Sequence, residues 1–111
     1  MRRFCSVFKI RPEYKDEYRK AHDEIWPELA IEIKKLGIQN YSIFFSKDGT
    51  LFSYFETDVK PKEFQYRWDE YFKKDISKRW QQYMSKFIIK EDSDSTGSDF
   101  LEELEEVFYL E

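Results

Sequence analysis

Hydrophobic and polar positions alternate from Arg3 to Ile10, with Phe4, Ser6, Phe8 and Ile10 on one side and Cys5, Val7 and Lys9 on the other, which predicts a strand. The period then lengthens. Pro12 stands where a helix begins, since a first-turn proline loses nothing by lacking an N–H. Tyr14, Tyr18, Ala21 and Ile25 follow at helical spacing, so residues 12–24 read as a helix with one buried stripe. Pro27 disfavours helical geometry at Trp26 and breaks the register. A second helical stretch resumes with Leu29, Ile33 and Leu36 and stops at Gly37, a favourable C-terminal cap. Residues 38–46 alternate again, with Gln39, Tyr41, Ile43 and Phe45 sharing a face. Lys47-Asp48-Gly49 is a hairpin turn signal, and Leu51 to Thr57 return as the next strand.

Pro61 opens another helical region, and residues 62–74 carry Phe64, Trp68, Tyr71 and Phe72. Asp75 is placed to cap the segment after it, where Ile76, Trp80, Tyr83, Met84 and Phe87 form a stripe. Residues 91–99 are acidic, polar and Gly/Ser-bearing, and predict a flexible connection. Glu106 to Leu110 predict a closing strand after a short helical stretch, on this or a partner subunit's sheet. The order strand, helix, strand, strand, helix, strand is the ferredoxin-like split β-α-β arrangement. The expected fold is therefore α+β, of the dimeric α+β barrel type: an antiparallel sheet with the helices on one face. The other face then needs a second subunit or a ligand to cover it.

Composition sharpens this picture. A chain of 111 residues fits one domain, residues 1–111. A domain this small buries proportionally little surface, so a homodimer is expected. Aromatic residues reach 20%, as eleven Phe, eight Tyr and three Trp. Most fill the core, but Tyr and Trp carry a polar handle that needs a partner when buried, which suits a pocket or an interface. A net charge of −4 and a pI near 5.2, with Lys and Arg interleaved among acids, argue against nucleic acid as a partner. A single cysteine, Cys5, builds neither an intrachain disulfide nor a thiolate metal site. With no membrane-length apolar run and no secretory leader, the expected setting is the cytoplasm, away from membranes.

His22 is the sole histidine, one helical turn after Tyr18 and on the same face. One histidine and no nearby thiolate supply too few ligands for zinc, so no metal is expected. No G-x-S-x-G, phosphate loop, dinucleotide fingerprint or Cys/His dyad is present. On an amphipathic helix such a histidine is ordinarily a surface or boundary residue, and nothing in the residue pattern by itself promotes it.

The segment Tyr18-Arg19-Lys20-Ala21-His22-Asp23-Glu24-Ile25-Trp26-Pro27-Glu28-Leu29 resembles the Y-x3-H-x2-IWPEL signature of the L-rhamnose mutarotases. Gly37 to Ile43 is similar to that family's G-x2-NY-x-I strand. Arg79-Trp80-Gln81-Gln82-Tyr83-Met84 and the closing Glu106-Val107-Phe108-Tyr109-Leu110 complete blocks that run in family order along nearly the whole chain. The resemblance implies a ferredoxin-like homodimer, without metal or organic cofactor, that interconverts the α and β pyranose anomers of L-rhamnose. By motif position it implies His22 as proton donor, with Tyr18 and Tyr41 contacting the sugar. Trp80 matches the first of a tryptophan pair at the sugar site. Position 81 departs from the pattern: Gln81 stands where the second tryptophan is found, and it is expected to offer amide hydrogen bonds to the monosaccharide. The aromatic stretch over residues 60–74 departs as well.

These residue types suit the reaction. Opening a cyclic hemiacetal requires a proton at the ring oxygen and loss of one from the anomeric hydroxyl. An imidazole exchanges protons near neutral pH, its unperturbed pKa being about 6.5. Tyr hydroxyls bond sugar hydroxyls, and aromatic faces suit the C–H surface and methyl group of a 6-deoxy sugar. Gln81 opens the alternative of a differently configured sugar such as L-fucose. Two other readings share the scaffold: a different cofactor-independent enzyme, and a non-catalytic sugar-binding module.

Overall fold

The strand between Thr50 and Thr57 (β3) has a neighbour on each side, Arg2–Lys9 (β1) and Ile38–Phe45 (β2), in a computed structural model that describes residues 1–89 and 102–111. A short strand, Glu102–Leu104 (β4), lies on the free side of β1, so the sheet order is β2-β3-β1-β4 with every neighbouring pair antiparallel. This is the topology expected of the split β-α-β arrangement, with β1 and β3 in the centre.

The first crossover begins with a 3-10 turn at Pro12–Tyr14 and continues as Lys15–Asp23 (α1). The helix expected over residues 12–24 thus opens with one tighter turn. Trp26 is extended, at φ −60° and ψ 127°, and Pro27 occupies the first turn of Pro27–Lys35 (α2), as the proline dictates. Gly37 ends that helix at φ +84°, a conformation that favours glycine. The second crossover is Pro61–Lys73 (α3) followed by Asp75–Ser85 (α4). Asp75 is the first helical residue and not the cap: Lys74 takes that position, with no side-chain cap hydrogen bond.

The helices pack on one face of the sheet. Two apolar clusters form there. One joins α1 and α4 to the strand ends through Ile10, Tyr18, Leu51, Met84 and Phe87. The other joins α2 to α3 through Leu29, Leu36 and Tyr71. Trp80 packs against both. Fully burying a side chain such as Leu29 or Phe87 stabilises the fold by about 1.5–3 kcal/mol. The opposite sheet face stays open: Phe44 and Phe52 are cross-strand partners and are 64% and 39% exposed.

Two further expectations are corrected. Gln39 does not share a face with Tyr41, Ile43 and Phe45. It pairs opposite Glu56 while Ser42 pairs opposite Tyr54, so β2 carries one extra residue between them. Asn40 absorbs this bulge at φ +52°, and Gln39 falls with Glu56 on the open face. Nor do Glu106 to Leu110 form the closing strand of this chain's own sheet; Glu102–Leu104 does, and no helical stretch occurs between Glu102 and Glu111. The register explains why. Continued past Cys5↔Leu104, it would set Glu106 opposite Arg3 and Val107 opposite Arg2, where β1 begins, leaving little strand for Phe108 to Leu110. Side chains take over instead: the Arg3 guanidinium donates to both carboxylate oxygens of Glu106 and lies 3.4 Å from the Tyr109 ring centroid. The flexible connection expected over 91–99 lies outside the described residues.

Candidate active site

Between the two apolar clusters, under the helices, lies a cavity of about 180 Å³. Its position follows from the packing. The first cluster contributes Tyr18 from α1, the second contributes Tyr71 from α3, and the gap between them is roofed by Trp80 and floored by the inner faces of β1, β2 and β3. An open cleft of about 690 Å³ between α1, α2 and β2 shares Tyr18, His22, Ile38 and Tyr41 with the cavity and leads into it. Among the described residues, the cavity lining carries no Asp, Glu, Lys or Arg. Its polar groups are His22, the hydroxyls of Ser6, Tyr18, Tyr41, Ser53 and Tyr71, the Trp68 and Trp80 indoles and the Gln81 amide.

His22 sits in the last turn of α1, and its Nδ1 lies 2.8 Å from the Tyr18 carbonyl oxygen. A carbonyl only accepts, so Nδ1 carries the proton and Nε2 is the nitrogen left to exchange one. The ring is clasped by aromatic neighbours, with the Tyr18 centroid at 4.3 Å and the Trp80 centroid at 5.2 Å, the latter edge-on at 79°. Burial pushes the His22 pKa below its usual value; the hydrogen bond to the Tyr18 carbonyl and the nearby Asp23 charge oppose this without reversing it.

Tyr18 is 8% exposed, and burial drives its pKa far upward, with the neighbouring Tyr41 adding to the shift. It is a phenol throughout the physiological range. Tyr41 is turned inward by the bulge in β2; its residue surface is 47% exposed, yet its hydroxyl is buried beside Ser53 and its pKa is raised for that reason. Tyr71 is likewise raised by burial, while hydrogen bonding with Ser77 acts in the opposite direction. Trp80 extends the aromatic wall outward, meeting Trp26 edge-on at 5.3 Å, and Trp26 stacks on Tyr83 at 6.0 Å. Gln81 donates from Nε2 to the Ser77 hydroxyl at 3.1 Å.

All five residues singled out in the sequence, Tyr18, His22, Tyr41, Trp80 and Gln81, line this one cavity. The sequence pattern did not single out Ser6, Ser53 and Tyr71 in the lining, nor Ser77 beside Gln81. A signal existed for Ser77: it precedes Trp80, Gln81 and Met84 at helical spacing, so a hydroxyl lies on the buried stripe of α4. Among the described residues no three His, Cys, Asp or Glu side chains gather as a metal-ligand set.

The class to which the architecture belongs is the ferredoxin-like α+β proteins. A dimeric ferredoxin-like protein from an uncultured marine organism superposes with a TM-score of 0.64 at 18% identity, covering 99% of this chain and 97% of that one. The sequence pattern of L-rhamnose mutarotase matches residues 3–110. The L-rhamnose mutarotase of Mannheimia succiniciproducens is 37% identical over 106 residues, which is 95% of this chain and 94% of the relative. The crystal structure of an L-rhamnose mutarotase from Formosa agariphila superposes with a TM-score of 0.77 at 28% identity, covering 100% of both chains. The chain belongs to the L-rhamnose mutarotase family. Other curated members match over shorter alignments, in which the chain spans 59% to 61% of their length.

Proposed function

We propose that this protein is a carbohydrate mutarotase that interconverts the α and β pyranose anomers of L-rhamnose or a related 6-deoxy sugar. One observation carries the reading. The sole histidine is tethered through Nδ1, so that Nε2 serves an uncharged cavity walled by aromatic rings and dotted with hydroxyls. Such a lining suits a neutral polyol with an apolar face and offers an anion no lysine or arginine.

The reaction moves one proton from the anomeric oxygen O1 to the ring oxygen O5 as the C1–O5 bond breaks and C1=O1 forms. Rotation about C1–C2 and reclosure with the reverse proton movement give the other anomer. Because burial favours neutral His22, Nε2 is free to accept the O1 proton, and the resulting imidazolium is the donor to O5. His22 ends each half-reaction in the form in which it began. Tyr18 and Tyr41 act as hydrogen-bonding phenols, since burial disfavours the phenolate a base would need. Trp80 packs on the C–H face of the ring, and Gln81 contacts a hydroxyl.

Anomer exchange is measured by saturation-transfer NMR on equilibrated sugar, because no net reaction occurs. Transfer between the two H1 resonances of L-rhamnose in the presence of protein is the expected result; its absence with L-rhamnose, L-fucose and D-galactose alike would overturn the proposal. A preference for L-fucose is the second reading, favoured by the polar Gln81, and a clear preference for L-rhamnose removes it.

A homodimer is part of the same proposal. The open sheet face carries Phe44 and Phe52, and Val107 and Phe108 are 87% and 78% exposed. A second copy of this chain would cover both.

A further inference from the structure

Ser77 is fully buried in α4, one turn before Gln81. A buried hydroxyl on a helix stripe needs a partner, and Gln81 supplies it. The Ser77 oxygen accepts the Gln81 amide Nε2–H at 3.1 Å. A primary amide has two faces of opposite character, donor and acceptor, and rotation by half a turn exchanges them. Whichever face Ser77 engages, the cavity meets the other.

We infer that Ser77 is a positioning residue: by taking the Gln81 Nε2–H it turns the amide so that the Oε1 carbonyl faces the cavity, where it accepts a hydrogen bond from one hydroxyl of the sugar. This rests on the mutarotase reading and sharpens it into a statement about specificity. At this position the family pattern has an indole, whose only polar group is a donor. Here the same wall presents an acceptor of fixed direction. A sugar lacking the matching hydroxyl leaves that carbonyl unpaired in a cavity with no ionised side chain in its lining, so the site discriminates for the hydroxyl by loss of binding and not by a clash.

The test measures exchange rates against concentration for L-rhamnose and its 2-deoxy, 3-deoxy and 4-deoxy analogues, by saturation-transfer NMR. In the wild-type protein one of the three deletions is expected to raise KM about tenfold, the size typical of one neutral hydrogen bond. In Gln81→Met that one penalty disappears while the other two persist. In Ser77→Ala the same penalty shrinks to about two- to threefold with kcat retained, because the amide is free to present either face. In the double variant Ser77→Ala has no additional effect on discrimination.

Ser77→Cys, nearly isosteric but a poor acceptor, should reproduce Ser77→Ala and replaces it if the alanine variant does not fold. A purely structural Ser77 would instead lower kcat for all four sugars in equal proportion. That outcome, or a full hydroxyl penalty surviving in either Ser77 variant or in Gln81→Met, overturns the inference while leaving the mutarotase reading intact. Failure of the wild-type protein to exchange any sugar overturns both.

Discussion

At the residue scale, His22 is the proposed acid–base group. Its Nδ1–H is committed to the carbonyl of Tyr18, and the Tyr18 and Trp80 rings flank the half-buried imidazole. His22→Ala should lower anomer exchange by about 10²- to 10⁴-fold, the usual contribution of a positioned acid–base group, while saturation-transfer difference spectra still report bound sugar. Unchanged exchange would remove His22 from the mechanism. The depressed pKa sets the sign of the pH dependence. With neutral His22 as the form that meets substrate, kcat/KM should be level near pH 7 and fall as pH drops through a value below the usual 6.5. A rate that rises on acidification would assign the work to the imidazolium resting form. The same shift bears on folding: the unfolded chain binds the proton at higher pH than the folded one, so acidification below about 6.5 destabilises the fold progressively until the folded pKa is passed.

At the scale of elements, the strand pattern was legible and its irregularities were not. Alternation located β1, β2 and β3, and Pro12, Pro27 and Pro61 marked the helix starts, because period and proline geometry are local properties of the backbone. The bulge at Asn40 is different: it exists only as a mismatch between two strands, and it is what sends Tyr41 to the cavity and Gln39 to the open face. Within this chain's own sheet, the C-terminal strand falls earlier than the pattern suggests for a related reason. Val107, Phe108 and Leu110 have strand-like character, but a strand needs a partner edge, and β1 ends first. The junction of β2 and β3 with the second crossover depends on Thr57, fully buried, whose hydroxyl donates to the Gly37 carbonyl at 2.8 Å and accepts from the Val59 amide at 3.1 Å. Thr57→Val keeps the shape and strands both backbone groups. It should lower stability by about 1–3 kcal/mol in a denaturant titration, with the site chemistry retained.

At the scale of the whole molecule, the open sheet face sets the expectation. Phe44 and Phe52 lie side by side across β2 and β3, opposite the face that holds the cavity. Light scattering should give a mass twice the chain's 13.8 kDa. Phe44→Glu, which places a charge on that face, should shift the protein to the monomer, and a wild-type monomer at micromolar concentration would refute the covered-face argument.

Residue order alone determined the α+β class, the helix and strand succession and, through the Tyr18/His22/Trp26-Pro27 block read with three later blocks, the family. Those are consequences of local periodicity and of motif spacing, both of which are written along the chain. Only the tertiary structure decided that Tyr18, His22, Tyr41, Trp80 and Gln81 share one cavity. It also decided that Tyr71, Ser53 and Ser6 line this cavity with them, and that Ser77 meets the Gln81 amide. Those facts depend on distances between residues remote in sequence and on which way buried polar groups must turn to be satisfied. The spacing of Ser77 and Gln81 in α4 is written in the chain, but the meeting of α1, α3, α4 and the strands around one cavity is not.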